Sequence, residues 1–389
     1  MRFMPDKKLI FWGACIGILL FGVGITTLGS VKQDLMVRFQ LDEIGAGTLF
    51  SVLPLGILMG SLLFGPASDR YGYKYILAGC CFCMFLGFEG LAYAPSWTLI
   101  WVSIFLFGLG GGAINGATSA LVADLSKEKK GANLSILGVF FGLGALGMPL
   151  VLAALEKIIS YVNILMVIGF FSFAVAVFYL CIRFPMAKLN NGFPKGEVKK
   201  ILQDPVLILI AFFLFCQSSL EALVNNWTTS YLTDVKSFTI KNALLSLSFS
   251  VAGMTVMRLL LGSLLKNLSF KSLWVISFAF LALGLGGLRF GYNQTVIFFA
   301  LMVLGGGLAA GFPLMLGLLA ERFSHLSATA FSVVLVIALT GNTIVNYLMG
   351  IVAEHSGVSN LTYAIGLEWI VMVVLFVLLF YKIKGLGSA

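Results

Sequence analysis

The sequence predicts an all-α integral membrane protein, with about twelve transmembrane helices in two pseudo-symmetric six-helix bundles. Three observations predict it. The 389-residue chain is 60% hydrophobic and only 11% charged, a balance that no soluble fold of this size could cover with polar surface. The second half repeats the first at a constant offset of 197 residues: Gly56 pairs with Gly253, Gly65 with Gly262, Lys74 with Lys271, Gly108 with Gly305, Gly110 with Gly307, Gly144 with Gly341 and Gly169 with Gly366. Lysine and arginine are also shared unevenly between alternate connections. A duplicated apolar chain of this kind suits an alternating-access carrier, two similar bundles rocking about a site held between them.

In chain order the apolar stretches run over 9–31, 44–65, 74–94, 97–122, 132–154, 161–184, 205–232, 240–265, 270–290, 294–320, 326–352 and 361–384. Each has about 20 residues or more, enough to cross a bilayer as a helix. The first lacks a small-residue cleavage site and belongs to the repeat, so it reads as a retained span. Glycines crowd the fourth (Gly108, Gly110, Gly111, Gly112, Gly116) and fifth (Gly138, Gly142, Gly144, Gly147), as expected where helix backbones must approach closely. Pro54, Pro149 and Pro313 fall inside spans; each is expected to kink its helix and free a carbonyl. The longest polar connection carries Pro185, Asn190, Asn191, Gly192 and Pro194. The expected division is therefore an N-terminal bundle over 1–184, a cytoplasmic linker over 185–204 and a C-terminal bundle over 205–389. The small residues Gly385 to Ala389 are expected to be a disordered tail.

Eighteen lysines and arginines fall on the side that holds both termini and the linker, against six on the other (Lys32, Arg38, Lys157, Lys236, Lys241 and Arg289). By the positive-inside rule both termini are cytoplasmic and the protein sits in the cytoplasmic membrane. This asymmetry accounts for the net charge of +9, so no nucleic-acid partner is expected. Cys15, Cys80, Cys81, Cys83, Cys181 and Cys216 all lie in apolar stretches and read as reduced packing residues.

Between the second and third spans stand Gly65, Asp69, Arg70, Gly72 and Lys74, the motif residues of a tight turn. Gly72 gives the turn its freedom, Asp69 is placed to accept from the start of the following helix, and Arg70 and Lys74 hold the turn in the cytoplasm. Asp124, at the cytoplasmic end of the fourth span, is the expected partner of Arg70, the two forming a latch that breaks as the bundles rock. The plainer reading of the cluster is a topogenic signal. The motif, after the second of about twelve spans, resembles the signature of the major facilitator superfamily, and that resemblance covers the whole chain. Its second copy is degenerate, with Lys266, Asn267 and Lys271.

Charged groups at mid-bilayer cost about 2.5–3.5 kcal/mol each on insertion scales, so each asks for a reason. Glu89 reads as snorkelling from the outer end of its span. Glu368 lies in the last span, which the resemblance makes peripheral. Gln217, Glu221 and Asn225 follow i, i+4, i+8 and share one helix face, and Asn226 and Trp227 continue the segment. The acid, then five residues, then Trp227, with Tyr231 four further on, resembles the seventh span of fucose and glucose/mannose proton symporters. The resemblance puts this span on the central cavity, where amides, a carboxylate and an indole suit a polyol. Glu221 is then the candidate proton carrier, its plainer role being a hydrogen-bond acceptor between helices. Arg258, in the eighth span, reads as structural, with anion binding the alternative.

Further candidate substrate ligands are Thr26 and Ser30, with Thr27 and Gln33, on the first span, Asn115 on the fourth, and Asn342, Asn346 and Tyr347 on the eleventh. Fucose symporters carry acids in the first and fourth spans; here the first has none before Asp34 and the fourth none before Asp124. No phosphate-binding loop, catalytic triad or metal cluster is legible, and His325 and His355 lie at separate connections, so neither enzyme activity nor a cofactor is expected. The expectation is a monomeric secondary transporter of a small hydrophilic solute, a sugar or sugar-like molecule, with the proton as candidate coupling ion. The alternatives are an exporter of amphipathic compounds (a drug or lysolipid), whose pocket the 35 phenylalanines would line, and a non-transporting membrane receptor.

Overall fold

The computed structural model describes residues 6–40, 43–126, 130–155, 158–187 and 195–386. Arg2, Lys127, Lys129, Lys157, Lys188, the linker stretch 188–194 and the final residues 387–389 lie outside the described residues, as do the side chains of Gln33, Lys266 and Asn267. Every regular element described is helical. In order these are α1 Lys7–Ser30, α2 Lys32–Phe39, α3 Glu43–Tyr71, α4 Tyr73–Tyr93, α5 Trp97–Leu125, α6 Lys130–Leu155, α7 Tyr161–Cys181 and α8 Lys195–Leu202. Then come α9 Pro205–Asp234, α10 Ile240–Asn267, α11 Phe270–Phe290, α12 Gln294–Leu308, α13 Gly311–Arg322, α14 Ser327–Ser356 and α15 Leu361–Leu386, a single 3-10 turn, Val358–Asn360, preceding the last. Among the described residues twelve helical spans are long and apolar enough to cross a membrane, α12 and α13 together making one of them. The protein is a multi-pass membrane protein.

The helix ends follow from sequence chemistry. Ser96, Ser160, Asp204, Thr239, Ser269 and Asn293 each stand one residue before a helix and accept from one or two of its first amides. Gly72, at φ 80°, turns the chain between α3 and α4 in a region that side chains avoid. Pro54 and Pro149 are absorbed within continuous helices, but Pro313 separates α12 from α13. Its ring excludes the carbonyl of residue i−4, Ala309, where the helix breaks. α1 stops at Ser30, so Gln33 belongs to the separate helix α2 and not to the first span.

Two compact units emerge. The first comprises Met1–Glu128, Leu137–Pro194 and Phe323–Ser332; the second comprises Lys129–Ile136, Lys195–Arg322 and Val333–Ala389. Within each, the repeat reappears as matched contacts. In the first unit Gly56 lies on the Phe105 carbonyl, Gly108 on that of Leu53 and Gly110 on that of Cys80. In the second Gly253 lies on the Met302 carbonyl, Gly305 on that of Ser250 and Gly307 close to that of Ser277. All six pairs obey the offset of 197, and helix starts obey it too: Tyr73 and Phe270, Trp97 and Gln294, Lys130 and Ser327. Without a hydrophobic push in lipid, such backbone-to-backbone approach is what holds the helices together.

A cation closes the same helix end in each copy. Arg38 donates to the carbonyls of Leu91, Ala92 and Ala94 at 3.2, 2.8 and 2.9 Å. Lys236 Nζ donates to those of Arg289 and Gly291 at 2.7 and 3.0 Å, so two acceptors match at the repeat offset. Both cations satisfy orphan carbonyls at a helix C-terminus, where positive charge is favoured.

Arg322 grips Asp204 in the second unit, its Nη2 2.7 Å and its Nε 3.1 Å from Oδ2. Burial pushes the Asp204 carboxyl up, but Arg322 and the Val206 and Leu207 amides outweigh it and hold the group below the usual aspartate range. With its folded value depressed, the stabilisation is complete above about pH 4 and is lost as pH falls through that lower value. Asp204→Asn is expected to cost about 1 kcal/mol at pH 7. In thermal melts the gap between variant and parent should close toward pH 2.5.

Candidate functional site

In the second unit the polar face of α9 begins at Gln217, which is buried. Its Nε2 donates to Glu221 Oε1 and to the Leu308 carbonyl, both at 2.9 Å. That carbonyl is available because the helix breaks just beyond it, and Gly311 leaves room for the amide to lie against the gap. The break at Pro313 is thus sealed by the residue that orients Glu221. Arg258, on α10, is near enough for its charge to act on Glu221. The Arg258 carbonyl accepts from Ser135 Oγ at 2.6 Å. Asn225 lies one turn beyond Glu221 on the same face, exposed, its amide bonded to nothing among the described residues.

Farther along, Asn346 Oδ1 accepts from Asn226 Nδ2 and from Trp227 Nε1, both at 3.1 Å. Asn346 Nδ2 donates to the Asn342 carbonyl at 2.8 Å. The two asparagines of α14 therefore join the α9 segment in one hydrogen-bonded group. Tyr347, beside Asn346 on the helix, takes no part in it and is 71% exposed.

The first-unit candidates divide. Thr26 Oγ1 donates to the carbonyls of Gly22 and Val23, and Ser30 Oγ to that of Thr26, so both hydroxyl protons serve their own helix. Asn115, half-buried on α5, keeps its side-chain amide without a partner among the described residues. Glu89, half-buried near the end of α4, has its Oε1 against Gly169 of α7 without a hydrogen bond. Glu368 sits beside Cys216 and Ser219 of α9.

The charge motif is arranged differently from its expectation. Asp69 Oδ2 accepts from the Thr329 amide at 2.8 Å and from Thr329 Oγ1 at 2.7 Å, so it caps α14 and not the following helix α4. Asp124 accepts from Tyr73 Oη at 2.6 Å and from Ser327 Oγ at 2.7 Å. Arg70 is not its partner; the guanidinium lies 5.1 Å from the ring of Tyr71. Lys74 lies over Tyr75 at 5.9 Å. Gly65 is needed for a packing reason, since the first turns of α14 occupy the space of a side chain there. Ser332 Oγ fastens this segment to the carbonyls of Ser61 and Leu62 at 2.6 and 2.9 Å. Ser332 on the Ser61 carbonyl and Ser135 on the Arg258 carbonyl are the same contact at the repeat offset, one in each unit.

Sequence reading had no signal for Thr329, Ser327, Ser135 or Ser332, because hydroxyl residues near helix starts are common. Their matching spacing from the repeat would have found the last two.

The Major Facilitator Superfamily profile matches residues 14–288. The chain belongs to that superfamily, and it is a transporter rather than an enzyme. An uncharacterized transporter of Sinorhizobium fredii, y4wD, is 23% identical over 91% of this chain and 94% of its own length. The fold is that of the E. coli fucose:proton symporter FucP, with a TM-score of 0.78 over 95% of this chain and 98% of that one at 19% identity. The proton:xylose symporter XylE aligns equally well, with a TM-score of 0.78 over 95% of this chain and 94% of that one at 14% identity.

Proposed function

We propose that this superfamily transporter takes up a small polyhydroxylated solute, a sugar or sugar-like molecule, by alternating access, with a proton as the coupling ion. The observation that carries the reading is the α9 face. A carboxylate is oriented by Gln217 beside Arg258, with a free amide one turn on and an indole next in line. Amides and carboxylate can bond hydroxyls, the Trp227 ring can stack on a sugar face, and Glu221 can take up and release a proton. Asn115 offers a second free amide. Thr26, Ser30 and Tyr347 contribute less, since the hydroxyl protons of the first two are spent on their own helix and the third stands outside the hydrogen-bonded group. Two of the solved structures that share the fold are named as sugar:proton symporters, which supports the same class. Cytoplasmic termini follow from the charge asymmetry of the sequence, and Asp69 and Asp124 at the start of α14 are the gating residues of this reading.

Uptake into proteoliposomes tests it. A panel of labelled pentoses, hexoses and deoxyhexoses is offered with and without an inward proton gradient. Saturable uptake of at least one sugar, driven above equilibrium only by the gradient, is expected. Protein that moves no sugar but expels an amphipathic dye or lysolipid would replace this reading with the exporter.

A further inference from the structure

At the end of the second unit away from α8, a recess of about 420 Å³ is lined by Tyr231, Val235, Lys236, Arg289, Phe290, Ser359 and Tyr363. Two cations border it, and neither has a carboxylate in ion-pair range among the described residues. The carboxylate of Asp234, two residues from Lys236, borders the neighbouring recess and accepts from Thr233 at 2.8 Å.

The internal repeat separates what the fold needs here from what it does not. In the first copy Arg38 alone closes the end of α4, and the position matching Arg289 is Ala92. Lys236 repeats that closing role, so Arg289 is surplus to it. Arg289 is also held in place by residues the first copy lacks. Its Nη1 donates to Thr362 Oγ1 at 2.7 Å, its Nη2 to Tyr363 Oη at 2.5 Å, and its guanidinium lies 4.0 Å from the Tyr363 ring. The first-copy residues at those two places are Leu165 and Met166. Three matched positions are thus polar in the second copy and apolar in the first.

A further observation is independent of the charges. Tyr231 also lines the recess, and its hydroxyl makes no hydrogen bond among the described residues. That donor is available to an acceptor bound in the recess. Burial and then the Arg289 charge hold Lys236 below the usual lysine range, a strain that an anion would relieve. Lys236 retains one N–H and Arg289 three after the bonds above.

The surroundings decide which anion. Phe290, Tyr292 and Tyr363 are 69%, 93% and 62% exposed beside the recess, as aromatic side chains are at the level of lipid headgroups. We infer that the recess holds the phosphodiester of an anionic membrane lipid, gripped by Arg289, Lys236 and the Tyr231 hydroxyl, with the exposed rings against its glycerol and upper acyl chains. Anionic lipid so bound would tie the ends of α9, α11 and α15 together. A dissolved phosphate could use the same donors but has no use for the rings.

The full chain, purified in neutral detergent, is melted with added phosphatidylglycerol, phosphatidylcholine, inorganic phosphate or glycerol phosphate. Phosphatidylglycerol is expected to raise the melting temperature by about 3 °C more than phosphatidylcholine. Arg289→Gln should remove most of that difference. Because it also cuts the bonds to Thr362 and Tyr363, Tyr231→Phe is the cleaner variant: it deletes only one unbonded hydroxyl and should at least halve the difference. Equal shifts with both lipids, a shift reproduced by either soluble phosphate, or an undiminished shift in both variants overturns the proposal.

Discussion

Gly305→Leu is expected to abolish folded protein, whereas Gly286→Leu leaves it intact. The two glycines lie in adjacent helices of the same unit and read alike in sequence. Gly305 on α12 meets the backbone carbonyl of Ser250 on α10, with no flexible side chain between them to yield. A side chain there must separate two helices, and every contact along their seam opens with them. Overpacking of a side chain against side chains costs about 1–3 kcal/mol; against rigid backbone the cost should lie at or above about 3 kcal/mol. Gly286 has nothing within 4 Å of where a Cβ would stand, so leucine there meets open space. The monodisperse fraction recovered after detergent extraction checks the pair. Equal recovery of the two variants would refute the packing argument.

Glu221→Gln is expected to abolish uphill transport while sparing exchange. The substitution is nearly isosteric, and glutamine keeps an oxygen for the Gln217 amide, so the hydrogen bond that orients the side chain survives. What disappears is the titratable site. A pH difference of one unit is worth about 1.4 kcal/mol per proton, which in a one-to-one symporter supports about a tenfold solute gradient. The variant should accumulate solute to a ratio near one and still catalyse counterflow, where no net proton movement is needed. A variant that still concentrates solute under the pH gradient would remove Glu221 from the coupling scheme and leave it as the acceptor of the Gln217 amide.

The fold was largely legible. Twelve spans and the duplication follow from hydropathy and self-similarity, whereas of the kinks expected alike at Pro54, Pro149 and Pro313 only the last breaks its helix. Span ends were less so. Gln33 moved to a separate short helix because α1 stops at Ser30, and polar residues there give no periodic signal. The site was legible in residue type but not in partnership. Spacing put Gln217 and Glu221 on one helix face, whereas Asn346 accepting from Asn226 and Trp227 joins residues 119 and 120 apart in sequence. The charge motif drew attention to Asp69 and Asp124, but pairing by sign gave the wrong partners. Among the described residues Asp69 accepts from the amide and hydroxyl of Thr329, and Asp124 from the hydroxyls of Ser327 and Tyr73, neutral groups that carry no charge signal.

The sequence by itself determined that this chain crosses a membrane about twelve times as two copies of one six-helix design. Lipid permits few backbone solutions, and a duplication preserves its spacing. Only the tertiary structure decided which polar groups meet: Gln217 with the Leu308 carbonyl, Asp69 with Thr329, Asn346 with Trp227, Lys236 with the end of α11. Those meetings depend on how helices distant in sequence are packed. In a membrane that packing is set by close backbone approach at particular glycines, and glycine spacing does not record which neighbour it admits.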